Sequence, residues 1–185
     1  VIADATGYMA CEHGIDVEQL LQLRAKYGNT TPLSDLQANY KSDEETTWCP
    51  VTPETHATHF RDLLQTYKAN CVALCANRYA IDEDLLQIIQ QNTFNKNDVS
   101  YILSGANLPF TTTKLRDSAV DNGIVVFPSW LTSAGNSLLY AQALSEESIT
   151  PGWPEKTMQK ISSLLIQHGV KFYEENFLLP NKRIA

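Results

Sequence analysis

Two hydrophobic patterns alternate along this chain. Short apolar runs of strand-forming residues stand at 1–3, 71–76, 100–103 and 123–127, and between them apolar residues return every three or four positions. Runs of the first kind predict strands, whereas the second spacing gathers apolar side chains on one side of a helix. The predicted helices cover about 16–27, 53–68, 82–91, 112–121, 133–145 and 154–173. Local signals support several of these bounds: Asp16 with Gln19 three residues later and Gly28 as a stop, and Thr52-Pro53 as a cap and first turn. Asp121-Asn122-Gly123 reads as the turn that introduces the strand at 123–127. In the last helix Met158, Ile161, Leu164, Leu165 and Phe172 form one stripe, expected to pack against protein.

Residues 29–48 are polar and have no sustained period, so they read as a long loop within an insertion of about 29–70. The run Cys71-Val72-Ala73-Leu74-Cys75-Ala76 reads as a strand buried on both faces, with Cys71 and Cys75 as small core residues. Strands separated by helix-length segments imply right-handed βαβ units. The expected fold class is therefore α/β, a Rossmann-like doubly wound and mostly parallel sheet over residues 1–150, followed by a C-terminal helical segment over 151–185. Ligands of such sheets bind beyond the carboxyl ends of the strands, which directs attention to Asp4, Asn77, Asn107 and the segment after Pro128.

Composition narrows the function. The 14 basic and 21 acidic residues give a net charge of −7, and the basic ones are scattered, so no stripe exists to neutralise phosphates and no nucleic-acid partner is expected. No apolar stretch approaches the ~20 residues of a membrane span, and no signal peptide is visible. Four cysteines without a C-x-x-C pair point to reduced thiols and a cytoplasmic setting. The chain begins Val-Ile-Ala-Asp without an initiator Met, as though partway through a strand, so a truncated or processed product is expected. The glycines at 7, 14, 28, 105, 123, 135, 152 and 169 exclude G-x-G-x-x-G, a P-loop and G-x-S-x-G within these residues. His56 and His59 share a helix face, and Cys49 or Glu54 are conceivable further ligands. Without a second ligand pair an exposed face is the expectation and no metal is assigned. His13 and His168 are isolated surface residues on this reading.

The most informative stretch runs from Tyr101 to Ala141. It contains Ser104-Gly105-Ala106-Asn107-Leu108-Pro109, then Thr111-Thr112, the strand Gly123 to Phe127 ending at Pro128, and Ser133-Ala134-Gly135-Asn136. This series resembles the nucleotide-binding domain of glutamate dehydrogenases, within the glutamate/leucine/phenylalanine/valine dehydrogenase family. Asp4 through Gly7 to Gly14-Ile15-Asp16, and Leu74-Cys75-Ala76-Asn77, resemble the family's second strand with its turn and its third-strand end. The resemblance implies a C-terminal NAD-binding fragment, partial because the opening strand and Gly-rich loop of that domain lie outside it. It implies coenzyme contacts at Asp4, Ala76, Asn77, Asn107 and Ser133, with Asp4 on the adenine-side ribose favouring NAD over NADP.

The chain also departs from the family pattern. Ser133 stands where the family writes Asn, Asn136 where it writes Gly, and Ser137 with a bulky Tyr140 at the wall of the substrate side-chain pocket. The family's catalytic Lys and Asp belong to a separate N-terminal substrate domain. The implied function is the coenzyme-binding part of an NAD-dependent amino-acid dehydrogenase, inactive alone and homo-oligomeric in its parent protein. The alternative is a non-catalytic Rossmann-like binding or oligomerisation module.

Overall fold

A computed structural model describes residues 1–28, 30–41, 45–75, 78–92, 100–145 and 150–175. Its contacts divide the chain into two compact units, Val1–Lys68 and Ala69–Ala185.

The first unit contains β1 (Ile2–Asp4), β2 (Gly7–Ala10), α1 (Val17–Tyr27), α2 (Leu33–Gln37), β3 (Thr47–Pro50) and α3 (His59–Thr66). Its sheet has the order β1-β2-β3 and is antiparallel, with Ile2 opposite Met9 and Met9 opposite Trp48. Residues 1–3 were expected in a parallel sheet; they form instead the first arm of a hairpin. The reason is local, because Asp4 and Gly7 are paired across a two-residue turn and the Asp4 carboxylate accepts from the Thr6 amide at 2.7 Å. Met9, Leu20, Leu33 and Leu36 make the core, with Ile2, Ile15, Leu23, Tyr40 and Trp48 packed against it.

Two further corrections fall in this unit. The loop expected over 29–48 holds α2 and the first half of β3, whose apolar Leu33, Leu36 and Trp48 are too few to set up a visible period. The helix expected from 53 begins at His59. Thr52 and Thr55 instead form a turn in which the Thr52 amide donates to the Thr55 hydroxyl at 2.9 Å, an alternative to helix that such side chains offer the backbone. At α1 the Asp16 carboxylate accepts from the Gln19 amide at 3.0 Å, as the spacing predicts, while the Gln19 side chain accepts from the Lys41 amide and leaves half of the capping box unmade.

The second unit contains β4 (Cys71–Leu74), α4 (Glu83–Gln91), β5 (Tyr101–Ser104), α5 (Thr113–Asp121), β6 (Val125–Val126), α6 (Ser129–Thr132), α7 (Gly135–Ser145) and α8 (Trp153–Tyr173). Here the alternating strand and helix pattern yields the parallel sheet it predicts, in the order β4-β5-β6, with Val72 opposite Ile102 and Ile102 opposite Val126. Asp82 and Thr112 cap α4 and α5 by accepting from the amides of Leu85 and Leu115.

Strand β4 is not buried on both faces. Val72 and Leu74 are buried, whereas Cys71 and Cys75 are exposed thiols. Among the described residues β4 pairs with β5 alone, and its alternate residues point to two different surfaces, of which one receives the core. The helix expected over 133–145 is α7, which starts at Gly135; the short α6 before it was not expected, and the Ser133 hydroxyl donates to the Ser129 carbonyl at its end. Along α8, Ile161 is buried and Met158, Leu165 and Phe172 are half-buried, but Leu164 is 46% exposed, off the ridge that the others form. The last turn is held by aromatic contact, with Phe172 and Tyr173 against Phe127, and with the Tyr173 and Tyr101 hydroxyls 3.4 Å apart. That hydrogen bond, then burial, then the neighbouring Tyr173 and Cys71 push the Tyr101 phenol above its ordinary pKa.

Candidate functional site

The second unit's three parallel strands run out together, and the chain turns there at Cys75, Gly105 and Phe127. The Gly105 amide donates to the Leu74 carbonyl at 2.8 Å, and a Cβ at Gly105 would lie 3.3 Å from Cys75 Sγ and 3.5 Å from Cys75 Cα. Glycine therefore lets the ends of β4 and β5 close on each other. The next turn is tied down by the Tyr79 amide on the Leu108 carbonyl, with Leu108 in the left-handed region (φ 54°), and by the Ile81 amide on the Pro109 carbonyl. A parallel bridge between Ile81 and Phe110 completes the tie.

Hydroxyl groups then pin α6 to the end of β5. Ser104 is wholly buried, and its hydroxyl donates to the Ala106 carbonyl at 2.6 Å. The Thr132 hydroxyl donates to the Ser104 carbonyl. One residue on, Ser133 Oγ lies 2.5 Å from the Ser129 carbonyl and 3.3 Å from Oδ1 of the exposed Asn107. The structure thus brings together Asn107 and Ser133, two of the residues singled out from sequence, 26 positions apart. Ser129 and Thr132 had not been singled out. Their signal is the hydroxyl-rich run after Pro128, where Ser129 and Ser133 stand one helical turn apart.

Of the other expected residues, Ala76 and Asn77 lie outside the described residues. Ser137 and Tyr140 stand on α7 and are exposed, Tyr140 by 74%. Asp4 belongs to the first unit, at the β1–β2 turn. Its Oδ1 accepts from the Thr6 amide at 2.7 Å and the Thr6 hydroxyl at 2.6 Å, and its Oδ2 accepts from the Leu33 amide at the start of α2 at 2.7 Å. Burial alone would raise this carboxyl's pKa, but the Thr6 hydroxyl and the Leu33, Thr6 and Gly7 amides together outweigh it and hold the pKa below the ordinary value.

Asp4 ties the hairpin to α2, and a stability effect follows. Asp4→Ala is expected to cost about 2 kcal/mol at neutral pH, the value of charge-assisted bonds discounted for partial exposure. Because the folded pKa is lowered, this stability is fully present above the ordinary aspartate pKa of about 3.9 and disappears as pH falls through the folded value. Urea unfolding at pH 7 and at pH 2.5 checks it. A penalty equally large at both pH values would show that the carboxylate's charge is not the source.

The two imidazoles at 56 and 59 lie 6.3 Å apart between ring centres, with His59 Nδ1 3.1 Å from the His56 carbonyl. Among the described residues, no group of three or more His, Cys, Asp or Glu side chains is placed to hold a metal ion. No described helix is long and apolar enough to cross a membrane.

Comparison with known proteins bears on what this arrangement belongs to. A sequence profile described as Glutamate/Leucine/Phenylalanine/Valine dehydrogenase matches residues 1–176. Among solved structures, Plasmodium falciparum glutamate dehydrogenase 2 is similar in fold, at 20% sequence identity and a TM-score of 0.60. The likeness covers 88% of this chain and 32% of that one, so the chain spans about a third of the length of its structural relative. No curated protein matches the sequence.

Proposed function

This chain belongs to the glutamate/leucine/phenylalanine/valine dehydrogenase family, and from that premise we propose that it is the coenzyme-binding part of an NAD-dependent amino-acid dehydrogenase of the glutamate type. Its parallel strands would belong to a doubly wound sheet. In the parent enzyme a hydride passes between nicotinamide C4 and the α-carbon of an amino acid, and oxidative deamination yields a 2-oxo acid and ammonia. The residues described here position the coenzyme. The acid and base groups of the reaction and most substrate contacts would come from elsewhere in a cytoplasmic, homo-oligomeric protein, so the 185-residue chain alone is inactive.

One observation carries this reading: the Asn107–Ser133 pair at the carboxyl end of β5, where parallel sheets bind their ligands. An amide beside a hydroxyl suits the neutral hydroxyls of the nicotinamide-side ribose, since the pair has both donors and acceptors. Ala76, Asn77 and, in the first unit, Asp4 are the further coenzyme contacts that the family resemblance implies. Asp4 would discriminate against NADP through repulsion of its 2′-phosphate, with ribose hydroxyls competing for the oxygens that now accept from Thr6 and Leu33.

Titration of the isotopically labelled chain with NADH and NADPH, followed by NMR, tests the proposal. NADH is expected to shift the Asn107 and Ser133 signals saturably and more tightly than NADPH, and Asn107→Leu should weaken NADH by about 10-fold, the loss of one or two hydrogen bonds. Absence of any shift at millimolar NADH would sink it. That result would favour the second reading, a non-catalytic binding or oligomerisation module. The specific observation behind that alternative is the exposure of Ser137 and Tyr140 on α7, where a substrate-pocket wall was expected.

A further inference from the structure

The Ser133 hydroxyl has two acceptors within reach and one hydrogen to give. At 2.5 Å the Ser129 carbonyl is the nearer, and a carbonyl oxygen can only accept, so the hydrogen belongs to that contact. What Ser133 then turns toward Asn107, at 3.3 Å, is a lone pair. An amide oxygen facing a lone pair is repelled. Rotation of the amide by a half turn about its last bond exchanges oxygen and nitrogen at almost no steric cost and converts the repulsion into an N–H donated to Ser133 Oγ.

We infer that Ser133 is a positioning residue that fixes the polarity of Asn107: the amide nitrogen is held by Ser133 Oγ, and Oδ1 faces the open end of the strands as a hydrogen-bond acceptor. Neighbouring contacts keep Ser133 in place for this task. Thr132 donates to the Ser104 carbonyl at the end of β5, and Pro128 begins the short helix that ends at Ser133, so both partners are held by the same strand end. The amide therefore offers its oxygen to a ligand group that donates a hydrogen bond toward Asn107, and keeps as a donor only the second N–H, the one not given to Ser133. A ribose hydroxyl can use both; a carboxylate or phosphate oxygen can use only the N–H. The identity of the ligand rests on the coenzyme reading above, whereas the orientation of the amide does not.

The two parts separate experimentally. In the ligand-free labelled chain, one Asn107 side-chain proton is expected to exchange with water several-fold more slowly than its geminal partner. Ser133→Ala should abolish that difference, and Ser133→Thr, which keeps the hydroxyl, should retain it. A fold defect in Ser133→Ala would disturb backbone signals across β4 to β6, which Ser133→Thr would leave in place. Equal, rapid exchange of both Asn107 protons in the wild-type chain overturns the assigned orientation. NADH titration is the second arm: Ser133→Ala should weaken binding by about 3–10-fold and Ser133→Thr by much less. If the slow proton is present but NADH does not bind the wild-type chain, the coenzyme reading fails and the orientation stands. If Ser133→Ala loses the slow proton yet binds NADH as tightly as wild type, the claim that Ser133 sets the ligand's polarity is overturned.

Discussion

Gly7→Ala is expected to disrupt the antiparallel sheet of the first unit, the largest effect of a methyl group added at any of the glycines. Gly7 has φ of +155°, and a Cβ built there would lie 2.4 Å from the Cys49 carbonyl oxygen and 2.6 and 2.8 Å from two carbons of the Trp48 ring. Real side chains do not tolerate such distances. The carbonyl belongs to the strand that pairs with β2, Gly7 lying opposite Pro50, so relief of the clash means separation of β2 from β3. Trp48 is itself packed on the Met9 core and cannot swing away freely. We expect a loss of about 3 kcal/mol or more, as for overpacking against backbone. Urea unfolding followed by tryptophan fluorescence measures it. Gly14→Ala is the control, because Gly14 also has a positive φ, +103°, but nothing lies within 4 Å of its Cβ position. That variant should cost only about 1 kcal/mol of backbone strain. Equal losses in the two variants would mean that the conformation, and not the clash, makes glycine necessary at position 7.

Ile102→Ala should have a comparable effect in the second unit. Ile102 is fully buried at the centre of the parallel sheet, paired with Val72 on β4 and Val126 on β6. Removal of three carbons at a site flanked by strands on both sides leaves a cavity that rigid neighbours fill poorly, with an expected loss of about 3–4 kcal/mol. Ile102→Val, which removes one carbon, should cost about 1 kcal/mol. Amide exchange across β4, β5 and β6 reads the change where it arises. Should Ile102→Ala cost no more than Ile102→Val, the strand centre is loosely packed and the assigned core is wrong.

How much of this was visible beforehand differs between the two units. In the second unit the helices over 83–91, 113–121 and 153–173 lie within two residues of the expected bounds, and the strands at 71–74 and 101–104 are parallel as predicted. Each of these elements is announced by the apolar spacing within itself, as along α8. In the first unit the period announced α1, expected over 16–27 and found at Val17–Tyr27, but did not mark β2, α2 or β3. Strands of four residues and a helix of five are shorter than the window over which periodicity accumulates, and β1 looked like a parallel strand because nothing within Val-Ile-Ala names its partner.

The candidate site shows the same division. Asn107 stood out from Gly-Ala-Asn at a strand end, and Ser133 from its place before Ala134-Gly135, each read within its own segment. That they meet, 26 positions apart, is a fact of two segments brought together. Asp4 carries the same lesson, for its strand-end position was legible while its bond to the Leu33 amide, 29 residues away, was not.

What the sequence determined by itself is thus the family pattern, the helix bounds and the alternation of strand and helix after residue 70, because caps, turns and periods act between residues no more than about four apart. The tertiary structure alone decided that β2 pairs antiparallel with β3, that β4 buries one face and exposes Cys71 and Cys75 on the other, and which polar groups meet beyond β5. Strand pairing and side-chain encounters depend on contacts between distant residues, and such contacts exist only once the chain has closed on itself.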